Sequence, residues 1–154
     1  MRVFVTSLIL LSVSAAQGFA FQTSSTASAK LRGSWRVKFT MGGSQKNLVF
    51  NARGKGSGSF LLLDTGPDDK PVVGSLPAVW SQLTNDRVSF SGEVELPIGT
   101  CCREIGTLTF KGKFVSGNTI SGKLVFVTSV DEEESPYKLR SLVGTFTATR
   151  LPNE

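Results

Sequence analysis

The chain has no histidine among its 154 residues. That removes Ser-His-Asp and Cys-His nucleophilic sites, which need an imidazole base. It also removes most zinc and non-haem iron sites. Tyrosine occurs once, at Tyr137, in a stretch that reads as a loop. Cysteine occurs only as the neighbours Cys101 and Cys102. Adjacent cysteines cannot form a CxxC metal clip. They leave a strained vicinal disulfide, intermolecular pairing or free thiols, and so small a ring would add little stability. No Asp or Glu precedes Asp64, while Lys30, Arg32, Arg36, Lys38, Lys46, Arg53 and Lys55 do, so Phe21–Leu63 carries +7. Asp64–Glu154 has nine basic and twelve acidic residues, or −3. Such asymmetry marks either a solvated surface or a basic face for an anionic partner.

What is present starts with a leader. Met1-Arg2 is basic, Val3–Val13 is almost wholly apolar, and Ser14, Ala15, Ala16, Gly18 and Ala20 are small. This is the three-part pattern of a secretory signal peptide, 1–20, with cleavage after Ala16 or Ala20. Its polar residues make it a poor membrane anchor, so no transmembrane span is expected after cleavage. Residues 21–30 are Ser/Thr-rich and acid-free. They read as a linker, or as a second address. Phe21 followed by that hydroxylated tract resembles the bipartite plastid leader of algae with secondary plastids. The expected location is therefore secreted or periplasmic, with a plastid as the alternative.

Residues 31–154 are long enough for one domain with a core. Period-two alternation predicts strands nearly throughout. Trp35, Val37 and Phe39 share a face against Arg36, Lys38 and Thr40. Val88, Phe90, Val94 and Leu96 oppose Ser89, Ser91, Glu93 and Glu95. Eight strands are predicted, over 34–40, 47–52, 60–64, 79–83, 87–96, 105–115, 120–126 and 144–151. The stretch Thr65–Pro77 reads as the longest loop, and Ser135-Pro136 as the cap of one helical turn. Eight half-apolar strands leave open edges unless the sheet closes. The prediction is an all-β, eight-stranded antiparallel up-and-down barrel after a signal helix, with a β-sandwich as runner-up. Gly92, Gly112 and Gly122 fall on the inward phase, where glycine suits a bend or a close approach.

Leu31-Arg32-Gly33-Ser34-Trp35 resembles the first-strand motif of the calycins, the lipocalin and avidin superfamily. The resemblance implies a barrel opened by Gly-x-Trp and a basic residue near the chain's end returning to that Trp. Arg150, in phase with Phe146 and Ala148, is the matching residue, so Trp35 and Arg150 form the implied clasp. The mid-chain Thr-Asp dipeptide of lipocalins is absent, as are counterparts of the polar residues by which avidins hold biotin. The ending GTFTATR is also similar to those of bacterial exported proteins.

Three functions are weighed. The first is a non-catalytic calyx for a small apolar ligand, its interior lined by Trp35, Phe50, Phe90, Phe110, Phe126 and Phe146. Barrels of this size hold one small ligand or are filled by their own side chains. The second is an accessory subunit docking on a protein partner through its surface. The third is a histidine-free isomerase or cyclase, for which Glu104 beside Cys102 and Arg103 is the best cluster. Glu93 and Glu95 share a face that reads as solvated. Asp131–Glu134 lacks the ligand spacing of a calcium loop. Gly54–Gly58 joins two strands and opens no helix, so it is a turn and not a phosphate loop. No cofactor and no metal are expected. Nucleic acid is not expected as a partner, since no basic–aromatic interleaving is present.

Overall fold

A computed structural model describes residues 30–63, 71, 74–98, 102–129 and 139–152. The leader 1–20, the segment 21–29, Cys101, the acidic run Asp131–Glu134, Tyr137 and the helical turn at Ser135-Pro136 lie outside the described residues. So does the side chain of Cys102.

The strands are β1 (Gly33–Met41), β2 (Ser44–Ala52), β3 (Ser57–Leu63), β4 (Leu76–Gln82), β5 (Arg87–Ile98), β6 (Cys102–Ser116), β7 (Thr119–Ser129) and β8 (Leu139–Arg150). Each pairs antiparallel with the next, and β8 pairs with β1, closing the barrel. The sandwich alternative is thereby excluded. Closure follows from the alternation read in the sequence. Every strand has one apolar face, and a closed sheet turns all of them onto one core.

The strands extend beyond their predicted bounds in several places. β2 begins at Ser44, because the turn contains only Gly42-Gly43. Both glycines have positive φ (57° and 77°), the conformation a two-residue hairpin turn demands. β4 begins at Leu76, so Leu76 and Pro77 belong to a strand and not to the preceding loop. Pro77 still leaves its mark. β4 pairs with β3 as far as Phe60↔Leu76, but with β5 only from Gln82 to Val79. Pro77 has no N–H to extend the ladder.

The core consists of inward side chains from all eight strands. At mid-height six phenyl rings contact one another. Phe50, Phe90 and Phe110 form a stacked column, with centroids 4.5 and 4.7 Å apart. Phe60 and Phe146 meet the column edge-on, and Phe39 meets Phe110 at 5.5 Å. Each such pair contributes about 0.5–1.5 kcal/mol beyond its burial. Inward glycines make the room. A Cβ at Gly58 would lie 2.8 Å from the Phe50 ring, and one at Gly92 3.0 Å from Phe60. One at Gly112 would lie 2.7 Å from Phe146, and one at Gly106 2.9 Å from Phe126. Gly112 and Gly122 face each other across β6 and β7. The inward glycines are thus the complement of oversized rings in a barrel of this girth.

Candidate functional site

The strand directions divide the barrel into two ends. The lower end holds the start of β1, the end of β8 and the turns β2–β3, β4–β5 and β6–β7. The upper end holds the Gly42-Gly43 turn and the other three connections.

The lower end is closed by side chains. Leu31 and Trp35 are wholly buried there. The Trp35 indole N–H donates to the Leu31 carbonyl at 2.8 Å. The Arg150 guanidinium carbon stands 4.3 Å from the Trp35 ring centroid, and Phe114 meets the same indole edge-on at 5.9 Å. Lys30 in turn covers Phe114, its ammonium 4.2 Å from the ring. Arg150 also donates to the carbonyls of Arg32 and Lys30. Burial pulls its pKa below the usual arginine value. Gly33 makes this arrangement accessible. Its φ is +116°, and a Cβ there would lie 2.9 Å from Arg150 Nη1. Trp80 closes the neighbouring sector. Its N–H is shared between the carbonyls of Ser57 (2.8 Å) and Arg53 (3.0 Å).

The upper end contains a cavity of about 440 Å³. Phe39, Leu62 and Leu96 form its apolar part. Gln45, Lys46, Asn47, Glu95 and Arg103 supply polar groups. Lys46 lies on the inward phase of β2 opposite Phe39, and burial lowers its pKa. No carboxylate among the described residues pairs with Lys46. Glu95, which shares the cavity, is engaged at 3.0 Å by Arg103 Nε. At this end Arg140 Nη1 lies 3.0 Å from Glu104 Oε1, while Glu104 Oε2 is buried without a hydrogen-bond partner. Thr128, also on the inward phase, donates to the Ile105 carbonyl at 2.8 Å.

The six expected lining residues all lie in the barrel interior, but packed against one another and their neighbours. Phe50, Phe90, Phe110 and Phe146 belong to the packed ring cluster, Phe126 lies buried against Gly106, and Trp35 is in the lower closure. None of the six lines the upper cavity. Phe39, Leu62, Leu96 and Lys46 do so in their stead. Inward phase alone did not single them out, because height in the barrel depends on register. Of the predicted cluster, Arg103 and Glu104 are divided by strand geometry. Arg103 points out to Glu95 and Glu104 turns to Arg140, since successive side chains take opposite faces. Glu93 and Glu95 are both exposed. Among the described residues, no three His, Cys, Asp or Glu gather as a metal-binding group, and no helix is long and apolar enough to cross a membrane.

The seven early cations do not form one face. Arg36 and Lys38 are on the outer wall, Lys46 faces the mouth, and Lys30, Arg32, Arg53 and Lys55 surround the lower end.

No family model matches the chain, and no curated protein matches it. Among solved structures it is similar to a redesigned β-barrel, with 16% identity and a TM-score of 0.41 over 82% of this chain and 96% of that one. It is also similar to a protein of Bacteroides fragilis whose name assigns it to the outer membrane, with 10% identity and a TM-score of 0.39. That match covers 81% of this chain and 52% of the other, so this chain spans about half of that protein. Neither likeness bears on function. The finer likeness to calycins rests on the Gly33–Trp35 and Arg150 motif alone.

Proposed function

We propose that this is an exported, non-catalytic binding protein that takes a small amphipathic molecule in the upper mouth of its barrel. The cavity at that end carries the reading. Its volume, about 440 Å³, falls within the usual range for small-molecule sites. Its composition suits a ligand with an apolar body and an acidic head. The body would meet Phe39, Leu62 and Leu96. The head would meet Lys46, a cation already partly stripped of water and lacking a carboxylate partner among the described residues. Export follows from the leader 1–20, toward a secreted or periplasmic location or, with residues 21–30, a plastid. Binding rather than catalysis follows from the lack of histidine and from the engagement of Arg103 and Glu104 in separate ion pairs.

Anilinonaphthalene sulfonate combines an apolar ring system with an anionic head and serves as the probe. Titration by fluorescence, with native mass spectrometry for stoichiometry, is expected to give one saturable site. Leu96→Trp, which fills the cavity, should weaken binding at least tenfold while the far-ultraviolet circular dichroism stays unchanged. Absence of saturable binding by the parent protein, or equal binding by the filled variant, overturns the reading.

A further inference from the structure

Side chains on the outer wall form continuous rows across neighbouring strands. One row runs Arg87, Lys113, Ser121, Thr147, Lys38 from β5 through β6, β7 and β8 to β1. The next runs Ser89, Lys111, Lys123, Thr145, Thr40 over the same strands. The ten positions are cations or hydroxyls, with no acid and no aromatic. Arg87 directly opposes Lys113, and Lys111 directly opposes Lys123. Like charges in such positions destabilise a sheet, so nothing in the stability of the barrel asks for them. All five cations are exposed. One carboxylate, Asp86, stands at the corner of the first row. It already accepts the Thr84 hydroxyl at 2.6 Å. That bond chiefly, with Arg87 and Lys113 contributing less, holds its pKa below the usual range.

The rows enclose a track. A depression of about 560 Å³ lies between Arg87, Lys111, Lys113 and Lys123 over a largely apolar floor that includes Leu83, Val88 and Val125, and one of about 350 Å³ lies between Lys38, Thr145 and Thr147. Ser121 borders both. Strands are spaced about 4.8 Å apart, so the first row is about 19 Å long.

We propose that this wall docks an acidic polysaccharide, with its uronate or sulfate groups on the five cations and its ring hydroxyls on the interleaved Ser and Thr. Charge complementarity and the presence of hydroxyl positions beside the cations in both rows favour that partner over other polyanions. A single-stranded nucleic acid is held largely by stacking on aromatic side chains, and no described aromatic is exposed. A bilayer is flat whereas the barrel wall is convex, and the wall lacks the aromatic anchors of an interfacial surface. A peptide cannot add as a strand, because β6, β7, β8 and β1 are paired on both sides over these rows. Charge-driven docking of this kind weakens steeply with ionic strength.

The test uses the leader-cleaved protein and polygalacturonate, with phosphatidylglycerol vesicles and duplex DNA as competing polyanions at equal charge concentration. Binding is read by calorimetry at low and at physiological salt. The triple variant Lys111→Gln, Lys113→Gln, Lys123→Gln should bind polygalacturonate at least tenfold more weakly and melt no lower than the parent. The variant Arg53→Gln, Lys55→Gln removes two cations from the lower turn and should bind as the parent does. No binding by the parent, equal binding by the triple variant, or tighter binding of vesicles or DNA overturns the proposal.

Discussion

The two ends of this barrel are built from the same strands and treated in opposite ways. At the lower end, Trp35, Leu31, Phe114, Arg150 and Lys30 fill the opening in successive layers, and the indole and guanidinium donors of the closure find carbonyl partners. Trp35 and Trp80 have their N–H groups bonded to carbonyls, and Arg150 gathers the carbonyls of residues 30 and 32. At the upper end the apolar floor stops at Phe39, Leu62 and Leu96. Above it stand a lysine without a carboxylate partner among the described residues and a glutamate with one unbonded oxygen. Buried polar groups are normally satisfied. Buried side-chain oxygens without a partner occur at both ends, Gln82 Oε1 at the lower and Glu104 Oε2 at the upper, so what separates the ends is closure by packed side chains at one and an open, polar-rimmed cavity at the other.

Substitutions sharpen this contrast. The largest effect is expected from Trp35→Ala, which removes a wholly buried side chain contacting both Arg150 and Phe114. Loss of about 3–5 kcal/mol is expected by denaturant unfolding. The affinity of the folded protein for anilinonaphthalene sulfonate should not change, and a parallel loss of affinity would break the division between the ends. Arg150→Ala should cost less, about 1–3 kcal/mol, because it strands two carbonyls and uncovers the indole. Its readout is the same unfolding curve, with mouth binding again unmoved. Lys46→Met should behave in the opposite sense. Its pKa is lowered in the fold, so between that lowered value and the unfolded value near 10.4 the unfolded chain binds more protons, and stability rises with pH. Removing the amine should therefore leave stability level or raise it by under about 0.5 kcal/mol, given how exposed it remains. Probe binding, however, should fall several-fold. In the parent, affinity should decline as pH rises through the Lys46 pKa, and the methionine variant should lack that dependence.

Much of this was legible in the sequence. The eight strands and their inward faces follow from alternation alone, because one buried side demands a period of two. Leu48, Phe50 and Ala52 or Ile120, Leu124 and Phe126 needed no knowledge of their partners. The inward glycines were visible too, but their reason was not. Gly92 reads as a bend until Phe60 is seen lying across it, more than thirty residues away along the chain. The same limit hid the cationic wall. Charge asymmetry pointed to the first half of the domain, whereas four of the wall's five cations, Arg87, Lys111, Lys113 and Lys123, lie in the acidic second half. Register brought them together, and register is a property of strand pairs. The outward phase of Lys111 and Lys113 was the available local signal. The upper cavity lies above the predicted lining for a related reason. A list of inward phenylalanines does not reveal that their summed bulk fills the barrel.

The lower closure has a consequence in time as well as in space. Arg150 reaches carbonyls 118 and 120 positions back along the chain, and β8 is the strand that zips onto β1. Hairpins between successive strands need only short loops to close, whereas this seam joins the two extremes of the folding unit. During synthesis, β1 to β7 can pair as they emerge, but the seam waits for the last strand. Until then both the edge of β1 and the face of Trp35 are exposed. The interval before Arg150 arrives is therefore when this chain most needs a chaperone, and a ribosome stalled short of residue 150 would display an open sheet instead of a barrel.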